Sequence, residues 1–238
     1  MRIVRFILFN LLSWVFVFTH GLALLICIPF GHGACYAVAR HWSRTVSFWL
    51  GVICGLSARI VGRENFPDEA SVMFIKHSSA YETYLQIEEF PRACWVLKQE
   101  LLYIPVFGWA LKALQSIAID RSAGGAAVKQ VLEQGKNRLE RGIWVSIFPE
   151  GTRMPPGETR RYGMSGTLLA QEAGVKIVPI AHNAGYHWPR HAKSIIPGEV
   201  VFVVGKPFDP TGRDPRELNE EIQAWVENEV EQIEAGNR

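Results

Sequence analysis

Seven short apolar runs, most of them separated by helix-length segments, set the limits on what this chain can fold into. They fall at residues 58–61, 72–76, 94–97, 117–119, 143–147, 176–180 and 200–204. None is long enough for a buried helix, and several are rich in Val and Ile, so each reads as a strand. Residues 80–87, 105–113, 124–141 and 165–173 read as helices between them. Such alternation predicts a layered α/β domain with a largely buried sheet. Residues 214–234 form a polar, acidic helix pattern with Leu218, Ile222, Trp225, Val226 and Val230 on one side. That pattern predicts a solvated helix docked by one face.

The first quarter of the chain is different. Residues 6–30 carry no formal charge. As a helix they would reach about 37 Å, enough to cross a bilayer core of roughly 30 Å. A second uncharged stretch, residues 45–58, would reach only about 21 Å and suits an interfacial position. Residues 1–63 hold six Arg and no acidic residue, which leaves 19 basic and 23 acidic residues for the rest. A basic, apolar head on a slightly acidic body fits an anionic membrane surface. We therefore read residues 1–58 as a two-helix membrane anchor and residues 59–238 as the catalytic domain. A cleaved signal peptide is disfavoured, because the stretch is long and Gly31-His32-Gly33 is a poor cleavage site. A helical pair packed on the protein's own core stays open. No pattern of stacking aromatics with basic residues points to nucleic acid. The four cysteines form no Cys-x-x-Cys pair, which argues against a zinc site or a disulfide framework and fits a reducing compartment.

Two strand ends carry chemistry. Val72-Met73-Phe74-Ile75 leads into Lys76-His77-Ser78-Ser79-Ala80-Tyr81-Glu82. A histidine with a carboxylate five residues on can form a base and its orienting acid. The pair meets only if His77 lies in the turn before a helix and Glu82 in its first turn. Ser79-x-x-Glu82 is equally a capping box, so a purely structural Glu82 stays open. The second run ends in Phe148-Pro149-Glu150-Gly151-Thr152-Arg153. There Gly151 lets the backbone approach a ligand closely, Thr152 offers a hydroxyl, and Arg153 offers a planar fork suited to phosphate. His187-x3-His191 has helical metal-ligand spacing, but Pro189 interrupts it and no carboxylate partner accompanies it, so a loop is the better reading.

Taken together, these stretches resemble the lysophosphatidic acid acyltransferases of the glycerolipid acyltransferase family. The match to that family's Phe-Pro-Glu-Gly-Thr-Arg motif is complete at Phe148 to Arg153, and its His-x4-Asp motif is met with Glu82 in place of Asp. A third motif survives partly, as the Ile and Arg of Gln115-Ser116-Ile117-Ala118-Ile119-Asp120-Arg121, and Val178-Pro179-Ile180 matches a fourth. The resemblance covers roughly residues 60–208. It implies a layered α/β fold with a mixed central sheet behind a helical membrane anchor. It also implies acyl transfer from acyl carrier protein or coenzyme A to the sn-2 hydroxyl of lysophosphatidic acid, at the cytoplasmic face of a bacterial inner membrane.

On that resemblance His77 is the general base and Glu82 steadies it. Arg153, Arg121 and Lys98 bind the acceptor phosphate, with Gly151 and Thr152 in the same loop. Glu150, which phosphate would repel, shapes the loop or bonds the glycerol. No metal, bound cofactor or acyl-enzyme is implied. Two alternatives stay open: a related acyltransferase with another acceptor, such as glycerol 3-phosphate or a lyso-ornithine lipid, and a non-catalytic lipid-binding protein of the same fold.

Overall fold

The computed structural model describes residues 1–236, the side chain of Arg121 excepted. Its centre is one seven-stranded sheet. The strands are β1 (Leu56–Val61), β2 (Val72–Ile75), β3 (Ala93–Lys98), β4 (Ile117–Ile119), β5 (Trp144–Ile147), β6 (Ile177–His182) and β7 (Gly198–Val204). They lie in the order β1-β7-β6-β2-β5-β3-β4. Every pair is parallel except β6 with β7, which makes the sheet mixed. All seven apolar runs became strands; β2, β5 and β6 are buried along their whole length, as strands between two layers of helices must be, whereas β1 and β4 at the sheet edges are only partly buried.

Among the described residues eight α-helices accompany the sheet: α1 (Arg2–Ile26), α2 (His32–Cys54), α3 (Tyr81–Glu89), α4 (Phe107–Ala113), α5 (Gly125–Glu140), α6 (Ser165–Ala173), α7 (Ala184–His187) and α8 (Pro215–Glu234). Strand alternation sends Val72 and Phe74 to one face of the sheet and Met73 and Ile75 to the other. The first face packs on α5, α6 and α8 through Val131, Leu169, Leu218, Ile222 and Val226. Its partner face packs on α1, α2 and α3 through Phe9, Val46, Leu50, Tyr81 and Leu85. The fold is thus three layers, and the N-terminal helices form part of the third. Asp214 caps α8, its carboxylate accepting from the backbone of Arg216 and Glu217, with Pro215 in the first turn.

The head differs in two ways from the reading of the sequence. Helix α2 begins at His32, well before the uncharged stretch at 45–58, because Arg40 is accommodated on the docked face while Arg44 stays exposed. Arg40 donates to the backbone carbonyls of Ile87 and Phe90 at 3.3 Å and lies 5.4 Å from the centre of the Tyr36 ring. Ser43 donates to the carbonyl of Tyr84 at 2.6 Å. Strand β1 opens at Leu56, so residues 56–58 pair with β7 in the sheet. Helix α1 also approaches the body closely: a Cβ on Gly21 would lie 2.4 Å from Val106 Cγ1. Its outward side, in contrast, exposes Ile7, Leu11, Trp14, Val15 and Phe18. Among the described residues α1 is the one helix long and apolar enough to cross a membrane.

Candidate active site

Four adjacent parallel strands, β6, β2, β5 and β3, end on the same edge of the sheet. Ligand sites in open α/β sheets form at the carboxyl ends of such strands. His77 follows β2 and the 148–153 loop follows β5, so the pairing of these two strands brings both motifs together. Lys98 ends β3 next to them.

His77 sits in the turn before α3, and Glu82 lies in the helix's first turn. The geometry the spacing required is met: His77 Nδ1 lies 2.8 Å from Glu82 Oε1. A carboxylate only accepts, so Nδ1 carries the proton and Nε2 is left as the basic nitrogen. The same Glu82 oxygen accepts from the backbone N–H of Ser78 at 3.2 Å and Ser79 at 3.0 Å. Orienting the histidine and capping the helix are therefore one arrangement, not competing ones. Glu82 is fully buried. Burial alone would raise its pKa, but the His77 hydrogen bond, the neighbouring His182 and His77 rings and the Ser79 N–H together hold it below the ordinary value. Phe148 stacks on the His77 ring with centroids 4.0 Å apart, fixing its plane.

The histidine opens onto a cavity of about 750 Å³. Thr152 and Arg153 stand on its wall beside His77 and Tyr84. Away from them the lining turns apolar, with Leu24, Ile87, Leu97, Leu111 and Leu114. A basic nitrogen, a cation and a hydrocarbon floor thus share one space, which suits an acceptor with a charged head and an acyl chain.

The other expected residues divide. Lys98 reaches the cavity wall, with its Nζ 2.7 Å from Glu100 Oε1, in a half-exposed pair. Gly151 takes φ +69° and makes the turn that carries Thr152 and Arg153 outward. Glu150 points the opposite way, into the protein, where Oε1 lies 3.4 Å from Lys76 Nζ and 3.4 Å from the backbone nitrogen of His77. Its position fits the loop-shaping role rather than a bond to glycerol. Burial, only partly offset by the Lys76 charge, pushes its pKa up to about 7. The Arg121 side chain, expected on the phosphate, lies outside the described residues.

Lys76 and Glu227 are members of this site that the sequence did not single out. Lys76 is almost fully buried and also contacts both Glu227 oxygens, at 2.7 and 2.8 Å, tying the end of β2 to α8. Nothing local marks a partner so distant in the chain. His182 and His187, which lie near the site, serve the framework. His182 donates from Nε2 to the Lys76 carbonyl at 2.7 Å and accepts at Nδ1 from Ala184 N–H at 3.2 Å. His187 Nδ1 lies 3.0 Å from the Ile196 carbonyl. Among the described residues no three His, Cys, Asp or Glu side chains gather as metal ligands.

The fold and this arrangement at its sheet edge define an acyltransferase, and the chain belongs to the family described as Acyltransferase, whose model matches residues 57–183. Among its relatives, a 1-acyl-sn-glycerol-3-phosphate acyltransferase of Pseudomonas aeruginosa is 40% identical over 235 residues, covering 97% of this chain and 91% of that protein. The Saccharomyces cerevisiae enzyme of the same name is 29% identical over 167 residues, covering 67% of this chain and 53% of its own. The crystal structure of the 1-acyl-sn-glycerophosphate (LPA) acyltransferase PlsC from Thermotoga maritima shares the fold, with a TM-score of 0.82, 99% of this chain and 98% of that one covered, and 23% identity.

Proposed function

We propose that this chain transfers a fatty acyl group from acyl carrier protein or coenzyme A to the sn-2 hydroxyl of lysophosphatidic acid, giving phosphatidic acid. The observation that carries the reading is the free Nε2 of a Glu82-oriented His77 facing a cavity with Arg153 at its head and an apolar floor. Its 40%-identical Pseudomonas relative bears the name of that activity.

His77 Nε2 takes the proton of the sn-2 hydroxyl as the oxygen attacks the thioester carbonyl. The neutral imidazole becomes imidazolium, and the ionised Glu82 offsets the new charge. Collapse of the tetrahedral adduct breaks the C–S bond. The departing thiolate takes the proton from His77, which restores the base and releases a free thiol. Arg153 and Thr152 hold the phosphate, Arg153 through charge-assisted bonds.

The two N-terminal helices, within the head read as residues 1–58, serve as the membrane-binding element, and the domain that opens with β1 carries the chemistry. The acceptor is a lipid, and the outward side of α1 offers a broad apolar surface, as do Phe48, Trp49 and Val52 on α2. Apolar insertion outweighs the attraction of the arginines to anionic lipid, since many large side chains are involved. We assign the protein to the cytoplasmic face of a bacterial inner membrane, where thioester donors are made. The test uses salt-washed inner membranes from expressing cells, with labelled lysophosphatidic acid and each thioester donor in parallel. Phosphatidic acid formation that stays with the washed membranes supports the reading. Transfer only to glycerol 3-phosphate or a lyso-ornithine lipid, or activity recovered wholly in the wash, overturns the corresponding part.

A further inference from the structure

We propose that Arg190 is a second cation of the acceptor-phosphate site; the proposal rests on the reading of lysophosphatidic acid as acceptor. Arg190 lines the same cavity as His77, Thr152 and Arg153. Its Nη1 lies 3.4 Å from Thr152 Oγ1, so the two groups border one spot at the cavity mouth. Among the described residues neither Arg190 nor Arg153 is within ion-pair distance of a carboxylate. Two guanidinium groups without a carboxylate, next to a hydroxyl donor, make a site that gains by taking up an anion.

The chain holds Arg190 there by several independent contacts. Pro189 forms an isolated antiparallel bridge with Ser79, two residues beyond His77. Trp188 is buried, with its ring edge-on to Phe6 at 6.2 Å and to Phe9 at 5.7 Å, and 6.0 Å from Tyr84. Ala192 N–H donates to the Pro189 carbonyl at 3.2 Å, closing a tight turn around Arg190 and His191. Within that turn His191 has φ +62°, a conformation costly for a residue with a side chain. A strained turn nailed to both the catalytic turn and helix α1 gives a surface arginine a fixed direction.

The chemistry asks for such a partner. A phosphate monoester carries between one and two negative charges near neutral pH. One guanidinium can form a fork to two of its oxygens and leaves the third, with much of the charge, unmatched. Arg190 supplies the second fork beside Thr152. Lys98, which also reaches the wall, is already paired with Glu100.

The experiment measures initial rates of the full-length protein in mixed micelles, varying lysophosphatidic acid and acyl donor separately, for wild type, Arg190→Gln and Arg190→Lys. Monoacylglycerol, which lacks the phosphate, is the control acceptor. Arg190→Gln should raise the lysophosphatidic acid KM roughly 10–150-fold, the range for losing a bond to a charged group. It should leave the donor KM unchanged and kcat within about threefold, and it should erode the preference over monoacylglycerol, the charge-assisted part of which is lost. Arg190→Lys keeps the charge without the fork and should fall between. An unchanged acceptor KM in both variants overturns the assignment, as does a rise confined to the donor KM, which would put Arg190 on the phosphates of the carrier. Wild-type protein that acylates monoacylglycerol but not lysophosphatidic acid would remove the acceptor reading itself, and the Arg190 assignment with it.

Discussion

Glu82 and Glu150 are both buried carboxylates next to His77, yet their surroundings push them in opposite directions. Glu82 accepts three N–H donors on one oxygen, one of them from the histidine ring, and is held ionised. Glu150 shares the single Lys76 ammonium with Glu227 and is pushed up to about 7. One ammonium shared with the partly exposed Glu227 does not offset the burial of Glu150, so Glu150 holds its proton more tightly than an ordinary carboxyl. On the proposed mechanism the difference separates the acid that works on the reaction from the one that shapes its loop. Glu82 is wired to the ring that would move the proton, whereas Glu150 is wired to the scaffold beneath it, in the loop that carries Arg153.

The sharpest way to break this contrast is Glu82→Gln. The amide can still accept from the N–H groups but carries no charge to offset the imidazolium, so kcat should drop by about 10²–10⁴-fold. Thermal stability should change little; a large fall in Tm with near-normal kcat would make Glu82 a cap and nothing more. Lys76→Met should act the other way. It leaves Glu150 and Glu227 facing each other without their cation, and removing one partner of a buried pair costs about 3–5 kcal/mol. Denaturant unfolding should record that loss, and activity per folded molecule should fall far less than in Glu82→Gln. The smallest effect is expected from Glu150→Gln, read as the pH dependence of Tm. The raised Glu150 value favours the protonated folded form, so its stabilisation is full below about 4.5 and is lost as pH rises through about 7. The gap between the two values is worth about 3 kcal/mol at most. Wild-type Tm should therefore fall relative to Glu150→Gln between pH 5 and pH 8. Parallel profiles would show that Glu150 is ionised throughout.

Legibility in the sequence followed the range of the interactions. The strands were legible because a buried strand leaves a short apolar run. The His77–Glu82 contact was legible because five residues and a helix start allow only one way for the pair to meet, and the spacing states that condition. Gly151 announced its turn by its residue type. Lys76, in contrast, reads as an ordinary end of a strand; its burial depends on Glu227, which the fold brings over from α8. Arg190 gives no local sign either, since its place depends on Pro189 pairing with Ser79 and on Trp188 finding Phe6 and Phe9. The start of α2 was misjudged because Arg40, His41 and Arg44 read as the boundary ahead of the uncharged stretch at 45–58, near the start of the segment. The helix continues through them because the carbonyls at the end of α3 accept from Arg40. Glu150 was legible as a loop residue, but its inward direction was not, for the cation that draws it in lies on another strand.

The central claim is that His77 Nε2 is the base for acyl transfer. It is tested most directly by kcat for His77→Ala against wild type, with lysophosphatidic acid and the preferred thioester at saturation. The account predicts a loss of about 10²–10⁴-fold, with Tm and membrane association unchanged. A folded, membrane-bound His77→Ala protein that turns over at near the wild-type rate would contradict it.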